Sequence, residues 1–183
     1  MFDVLEFRKE FPILSKRVND KPLVYFDNGA SSQKPIRVIE AVKKCYESEY
    51  SNVHRGLHYL SNLATEKYEA VRDKVVTFLG ASCQEEIIFT SGSTEALNLI
   101  SYAWANHNLK SGDEIILSTL EHHANIVPWH FLRERLGIEL KWVNIDNEGN
   151  LDAQSVIDAI DKKTKLVEIT HMSNVLGTIV DVK

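Results

Sequence analysis

An α/β fold, a mostly parallel sheet with flanking helices, is what these 183 residues predict, and three observations predict it. Short apolar runs of strand length occur at 86–90, 114–118, 139–143 and 165–170. Segments with helical apolar spacing separate them at 93–106, 126–136 and 153–160, and such alternation argues for βαβ units. Three of the four strands then end in polar residues able to hold a ligand, on what becomes one edge of a parallel sheet.

Each element has its own signal. A short amphipathic segment at 4–11 ends at Pro12, and Leu23-Val24-Tyr25-Phe26 reads as a strand followed by a turn at Asp27-Asn28-Gly29. Pro35 suits a first helical position, and Val38, Ala41, Val42, Cys45 and Tyr46 follow at helical spacing, which turns Cys45 toward the core. Residues 51–61 show no period and carry Asn52, His54, Arg55 and His58. A second helix then places Ala64, Tyr68, Val71, Val75 and Phe78 on one face, with Gly80 as its stop. Residues 1–85 thus form an N-terminal arm with helices, and 86–183 the sheet-bearing part.

Composition removes several function classes. With 44% hydrophobic residues the chain can bury a core of ordinary size, and a net charge of −5 without a basic stripe argues against a nucleic-acid partner. The first eleven residues mix charged and apolar side chains, so no secretory signal is expected there. No apolar run approaches the ~20 residues that span a bilayer. Cys45 and Cys83 have neither metal-ligand spacing nor the number for a disulfide framework, so the expected location is the cytoplasm.

The chemistry-bearing residues cluster after the strands. Phe89-Thr90-Ser91-Gly92-Ser93-Thr94-Glu95 joins a strand to a helix whose first-turn amides lack intrahelical partners. With the hydroxyls of Ser91, Ser93 and Thr94 this makes an anion site fit for a phosphate, although simple N-capping would use the same residues. A Walker-type loop is excluded because no Gly-Lys-[Ser/Thr] follows. In Thr119-Leu120-Glu121-His122-His123-Ala124-Asn125 a histidine could stack on an aromatic cofactor or shuttle a proton. A metal site built from His122, His123, His54 and His58 is the weaker reading, because no Asp or Glu completes a ligand spacing. Thr170-His171-Met172-Ser173-Asn174 follows the last strand, and the convergence favours a cofactor with a phosphate and a ring.

Four strings carry a family resemblance: Asp27-Asn28-Gly29-Ala30-Ser31-Ser32-Gln33-Lys34-Pro35, Asn52-Val53-His54-Arg55-Gly56-Leu57-His58, Glu121-His122-His123-Ala124-Asn125-Ile126-Val127-Pro128-Trp129 and Thr170-His171-Met172-Ser173-Asn174-Val175-Leu176-Gly177. In order and spacing the chain resembles the SufS-like, group II cysteine desulfurases, fold-type I pyridoxal-5'-phosphate (PLP) enzymes of the class V aminotransferase superfamily. The resemblance implies that Ser93 and Thr94 hold the PLP phosphate, and that His122 stacks on the ring as a catalytic acid/base. It also puts Asn174 beside the ring oxygen, and His54 and Arg55 at the active-site entrance near a dimer interface. The implied activity converts L-cysteine to L-alanine and an enzyme persulfide for iron–sulfur cluster assembly, with a sulfur-acceptor protein as partner and a homodimer as assembly. The alternatives are a selenocysteine lyase, another class V PLP enzyme, or a non-catalytic truncated or split-gene product. Ser91 stands where the family commonly has arginine and Gly29 where it has alanine. Glu168 interrupts a strand expected to be buried, where an unpaired carboxylate is costly.

The resemblance further implies a Schiff-base lysine, an aspartate for the pyridinium nitrogen and a nucleophilic loop cysteine. Neither Cys45 nor Cys83 lies at the matching position, Cys83 reading as a surface thiol, and Lys162, Lys163 and Lys165 fall in a connection before a strand. The chain ends at Lys183 in mid-connection, so the expectation is a truncated N-terminal part of a fold-type I PLP-dependent transferase, with an incomplete PLP-binding large domain and no activity alone. In that fold the first strand lies apart from the next three, which predicts unpaired edges and a tendency of these residues alone to aggregate.

Overall fold

Asp3 accepts hydrogen bonds from the amides of Leu5 and Glu6 at 3.0 and 3.1 Å, and this cap starts α1 (Val4–Lys9). The computed structural model describes residues 2–182, which fall into two units divided between Ile88 and Phe89. In the first unit, Pro12 opens a 3-10 turn, Pro12–Ser15, and a two-residue hairpin follows. Its strands β1 (Arg17–Val18) and β2 (Lys21–Pro22) are joined by Asn19 and Asp20, both with positive φ (49° and 60°), as a type I′ turn requires. The expected strand at 23–26 is a correction. The Leu23 amide still reaches the Lys16 carbonyl at 2.9 Å, but beyond it the chain is extended without a ladder, and Phe26 is 93% exposed.

Helix α2 (Ile36–Lys44) starts one residue after Pro35, which occupies the N-cap, and runs into a π-helical turn, Cys45–Glu49. Cys45 does not face a core: it is exposed, and α2 buries none of its residues. The helical period was correct, but a period does not supply the surface that covers the face. Helix α3 (Tyr59–Leu79) ends as expected at Gly80, whose φ of 70° suits a residue without a Cβ. Polar ties order this unit. Arg8 donates to the carbonyls of Leu14 and Leu23 at 3.1 and 2.7 Å, Glu49 pairs with Lys67 at 2.5 Å, and Arg72 donates to the Ile87 carbonyl.

The predicted strand at 86–90 is also corrected. Gln84–Glu86 is a 3-10 turn, and 87–90 is extended but joins no ladder among the described residues. In the second unit a continuous helical run covers α4 (Ser93–Leu99), a π segment (Ile100–Ala105) and α5 (Asn106–Asn108). It is followed by β3 (Glu114–Ser118), α6 (Val127–Leu136), β4 (Glu139–Val143), α7 (Ala153–Ala159) and β5 (Thr164–Glu168). The strands lie in the order β4-β3-β5, all parallel, with Ile115 opposite both Leu140 and Leu166. The expected strand at 165–170 begins one residue earlier and ends two sooner.

Strand β3 is central and wholly buried, so its alternation feeds two cores. Ile115 and Leu117 pack with Ala105, Leu109, Trp129, Leu132 and Ile138 on one face, while Ile116 packs with Leu120, Val143, Leu151 and Val180 on the other. Two covered faces explain why its three inner residues, Ile115, Ile116 and Leu117, are all apolar. No helix among the described residues is long and apolar enough to cross a membrane.

Candidate active site

Parallel strands put the residues after β3 and β5 on one edge of the sheet, where open α/β sheets bind ligands. After β3 the chain turns through Glu121 and His122 into a 3-10 turn, His123–Asn125. His122 is exposed, and its Nδ1 accepts the Ala124 amide at 3.1 Å. The neutral ring therefore carries its proton on Nε2, and the ring is held by its own cap. His123 is exposed as well, its ring perpendicular to that of His122 (87°) with centroids 6.1 Å apart. The two histidines thus present different faces and do not converge on one point.

Helix α4 packs against this turn. Its N-cap is Gly92, and no side chain caps it. Capping by Ser93 and Thr94, the alternative use of those residues, does not occur; instead the Glu95 carboxylate accepts the Ser91 amide at 2.6 Å. Hydrogen bonds from the Ser91 hydroxyl and amide hold Glu95 below the usual carboxylate range. Ser93 and Thr94 are exposed, and their first-turn amides and hydroxyls are open donors at the positive end of the helix.

Beyond β5, the segment from Thr170 turns back on itself. Met172 bridges Ile179, the Val180 amide donates to the His171 carbonyl at 2.9 Å, and the buried Ser173 Oγ accepts the amides of Val175 and Leu176, each at 3.2 Å. Asn174 stands exposed at the start of that turn. The loop also rests on Gly149: Thr178 Oγ1 donates to the Gly149 carbonyl at 2.9 Å, and a Cβ on Gly149 would sit 2.7 Å from Leu176 Cδ1.

Glu121, given no role on sequence grounds, joins these parts. Its Oε1 accepts the Ser118 hydroxyl at 2.6 Å and the Thr170 amide at 2.8 Å, and its Oε2 accepts Asn125 Nδ2 at 2.8 Å. Asn125 Oδ1 in turn accepts the indole N–H of the fully buried Trp129 at 3.1 Å. Its only signal was its place in the Glu-His-His-Ala-Asn string. Glu168, at the end of β5, gains an account too: burial first, and the Glu121 carboxylate second, raise it from 4.5 to about 7. Near neutrality a substantial fraction of Glu168 is uncharged, which relieves the cost of a charged group in a strand.

The other predicted residues lie in the first unit. His54 adopts φ 68°, its amide donates to Thr65 Oγ1 at 2.9 Å, and its Nε2 lies 2.6 Å from Glu69 Oε1. Arg55 follows it, exposed. Ser61, fully buried, closes this loop by donating to the Asn52 carbonyl at 2.7 Å and accepting the Gly56 amide at 3.0 Å. A Cβ on Gly56 would clash with Ser61 Oγ, so this loop leaves no room for a side chain there. Cys45 and Cys83 are exposed. Lys163 and Lys165 flank the amino end of β5, opposite the edge that carries His122; Lys163 faces Glu114 at 3.7 Å.

The class-V aminotransferase family model matches residues 24–183. A probable cysteine desulfurase of Synechocystis sp. is 47% identical over 172 residues, 94% of this chain and 41% of that protein. The cysteine desulfurase of Escherichia coli K12 is 47% identical over 178 residues, 97% of this chain and 44% of that protein. The apo cysteine desulfurase of Thermococcus onnurineus NA1 superposes with a TM-score of 0.88 at 41% identity, covering 100% of this chain and 43% of that one. The chain therefore spans less than half the length of the relatives it matches.

Proposed function

The chain belongs to the class-V aminotransferase family, and on that premise we propose that the natural protein is a PLP-dependent cysteine desulfurase that converts L-cysteine to L-alanine and leaves an enzyme persulfide. One observation carries the reading within the second unit. The open donors of the α4 first turn pack against the turn that holds the His122 ring, at the carboxyl edge of a parallel sheet. On this reading the second unit is the first part of the cofactor-binding large domain.

The residues present fit a phosphate joined to a flat ring. The amides and hydroxyls of Ser93 and Thr94 would take the phosphate, and Glu95 does not compete for them because it is engaged by Ser91. His122 would lie on the ring face with its Nε2–H as a hydrogen-bond donor toward cofactor or substrate, and acid/base exchange there would run through the imidazolium, which requires Nδ1 to release the Ala124 amide. Asn174 would hydrogen-bond the ring oxygen. When bound, PLP supplies the electron sink that labilises bonds at the substrate α-carbon. His54 and Arg55 keep the substrate-side role that their motif implies. The cofactor lysine and the sulfur-accepting thiolate are assigned to none of Lys162, Lys163, Lys165, Cys45 and Cys83. A sulfur-acceptor protein, a homodimeric assembly, a cytoplasmic location and iron–sulfur cluster assembly complete the proposal.

The test is to supply the natural protein with PLP and L-cysteine, and to quantify L-alanine and sulfide released by a thiol. Equal molar yields of both are expected. Alanine from L-selenocysteine alone would make it a selenocysteine lyase, and no alanine from either substrate overturns the reading. Borohydride reduction with peptide mapping is expected to leave Lys162, Lys163 and Lys165 unlabelled.

A further inference from the structure

We propose that Glu121 is the positioning residue of this site, setting the His122 turn and the 170–174 segment in one frame. This rests on the reading above. The residue adjoins His122 and uses both carboxylate oxygens on three donors from three places: Ser118 at the end of β3, Asn125 within the turn, and the Thr170 amide past the end of β5. The Asn125 backbone amide donates back to the His122 carbonyl at 2.8 Å, so the residue whose side chain Glu121 grips also pins the backbone of His122. Asn125 is itself fixed by Trp129, which is wholly buried. The turn is thereby tied to the core on one side and to the next strand on the other. Thr170 begins the segment that ends in Asn174, so one carboxylate indexes both residues expected to touch the ring.

The donor pattern is demanding. A carboxylate only accepts, and all three of its partners here donate. In E121Q the new amide group must face a donor, either Asn125 Nδ2 or the Ser118–Thr170 pair. In N125D two carboxylates face each other. In the double variant E121Q/N125D the glutamine amide donates to the new aspartate, which still accepts from Trp129, while the glutamine oxygen keeps Ser118 and Thr170. Every hydrogen bond is restored with its direction reversed at one link, and the net charge is unchanged.

The experiment compares the natural protein with the three variants. Readouts are L-alanine formation, the circular dichroism of bound PLP, and the His122 imidazole NMR resonance in the cofactor-free protein. Each single variant is expected to lose about 10- to 100-fold in kcat with KM for L-cysteine within about 3-fold, to alter the cofactor dichroism and to shift the His122 resonance. The double variant is expected to recover kcat to within about 3-fold and to restore both spectra. An E121Q protein that matches the natural one in kcat and in both spectra overturns the proposal, as does a double variant that recovers neither activity nor fold. If the natural protein itself makes no alanine, the proposed function fails, and the His122 resonance across the same variants still decides the positioning role.

Discussion

Phe78 in α3 and Trp129 in α6 are both large aromatic side chains at helical core spacing, yet Phe78 is 86% exposed and Trp129 is 0% exposed. The contrast extends to the units around them. Among the described residues of the first unit, Ile87 is the buried apolar side chain, while Phe26 and Leu57 stand fully in solvent. In the second unit a central strand sends alternate side chains into two cores. The first is ordered by hydrogen bonds to its backbone and by ion pairs between side chains, the second by burial. A helical period specifies which face wants cover, and only a neighbouring element supplies it.

The largest break in that comparison comes from truncating the two aromatics. W129A removes a fully buried indole and the partner of Asn125, and is expected to cost about 3–5 kcal/mol in denaturant unfolding. F78A, at an exposed position, is expected to change it by less than about 0.5 kcal/mol. Equal losses would mean that the first unit is covered in solution.

Two glycines sharpen the contrast at a smaller scale. Gly149 combines φ 85° with a Cβ position 2.7 Å from Leu176 Cδ1, so G149A is expected to cost about 2 kcal/mol and to disturb the loop bearing Asn174. Gly80 has φ 70° with nothing within 4 Å, so G80A is expected to cost about 1 kcal/mol, from backbone strain alone. Thermal unfolding of the two variants checks the ordering.

The smallest effect is electrostatic and depends on pH. Glu168 titrates near 7 in the folded protein and near 4.5 otherwise. Its proton therefore favours the folded state fully below about 4.5, and that contribution is lost as pH rises through 7. E168Q is expected to leave stability at pH 5 nearly unchanged. At pH 8 it should raise stability by about 1 kcal/mol, a figure discounted for partial exposure. A gain at pH 5 as large as at pH 8 would refute the assignment.

Much of the second unit was legible because local rules and tertiary packing agree there. The strands at 114–118 and 139–143 fall at the predicted residues, and α6 and α7 fall within one residue of prediction at each end. The strands at 23–26 and 86–90 failed for one reason: an apolar run becomes a strand only against another edge, and among the described residues none pairs with either. Cys45 failed likewise, in a π-helical turn that buries nothing after a helix that buries nothing. His122 and Ser93 could be picked out from side-chain chemistry and neighbours in sequence, whereas Glu121 could not. Its meaning lies in Thr170, forty-nine positions away, which only the pairing of β3 with β5 brings within 2.8 Å.

The sequence by itself determined the α/β class, the family, and the strings that bear Ser93, Thr94, His122 and Asn174, because these depend on residue type and local spacing. The tertiary structure decided which apolar faces are covered, why Glu168 is tolerated, and which carboxylate holds the His122 turn. The physical reason is that burial and hydrogen bonding between strands are set by neighbours distant in sequence, and local periodicity carries no information about them.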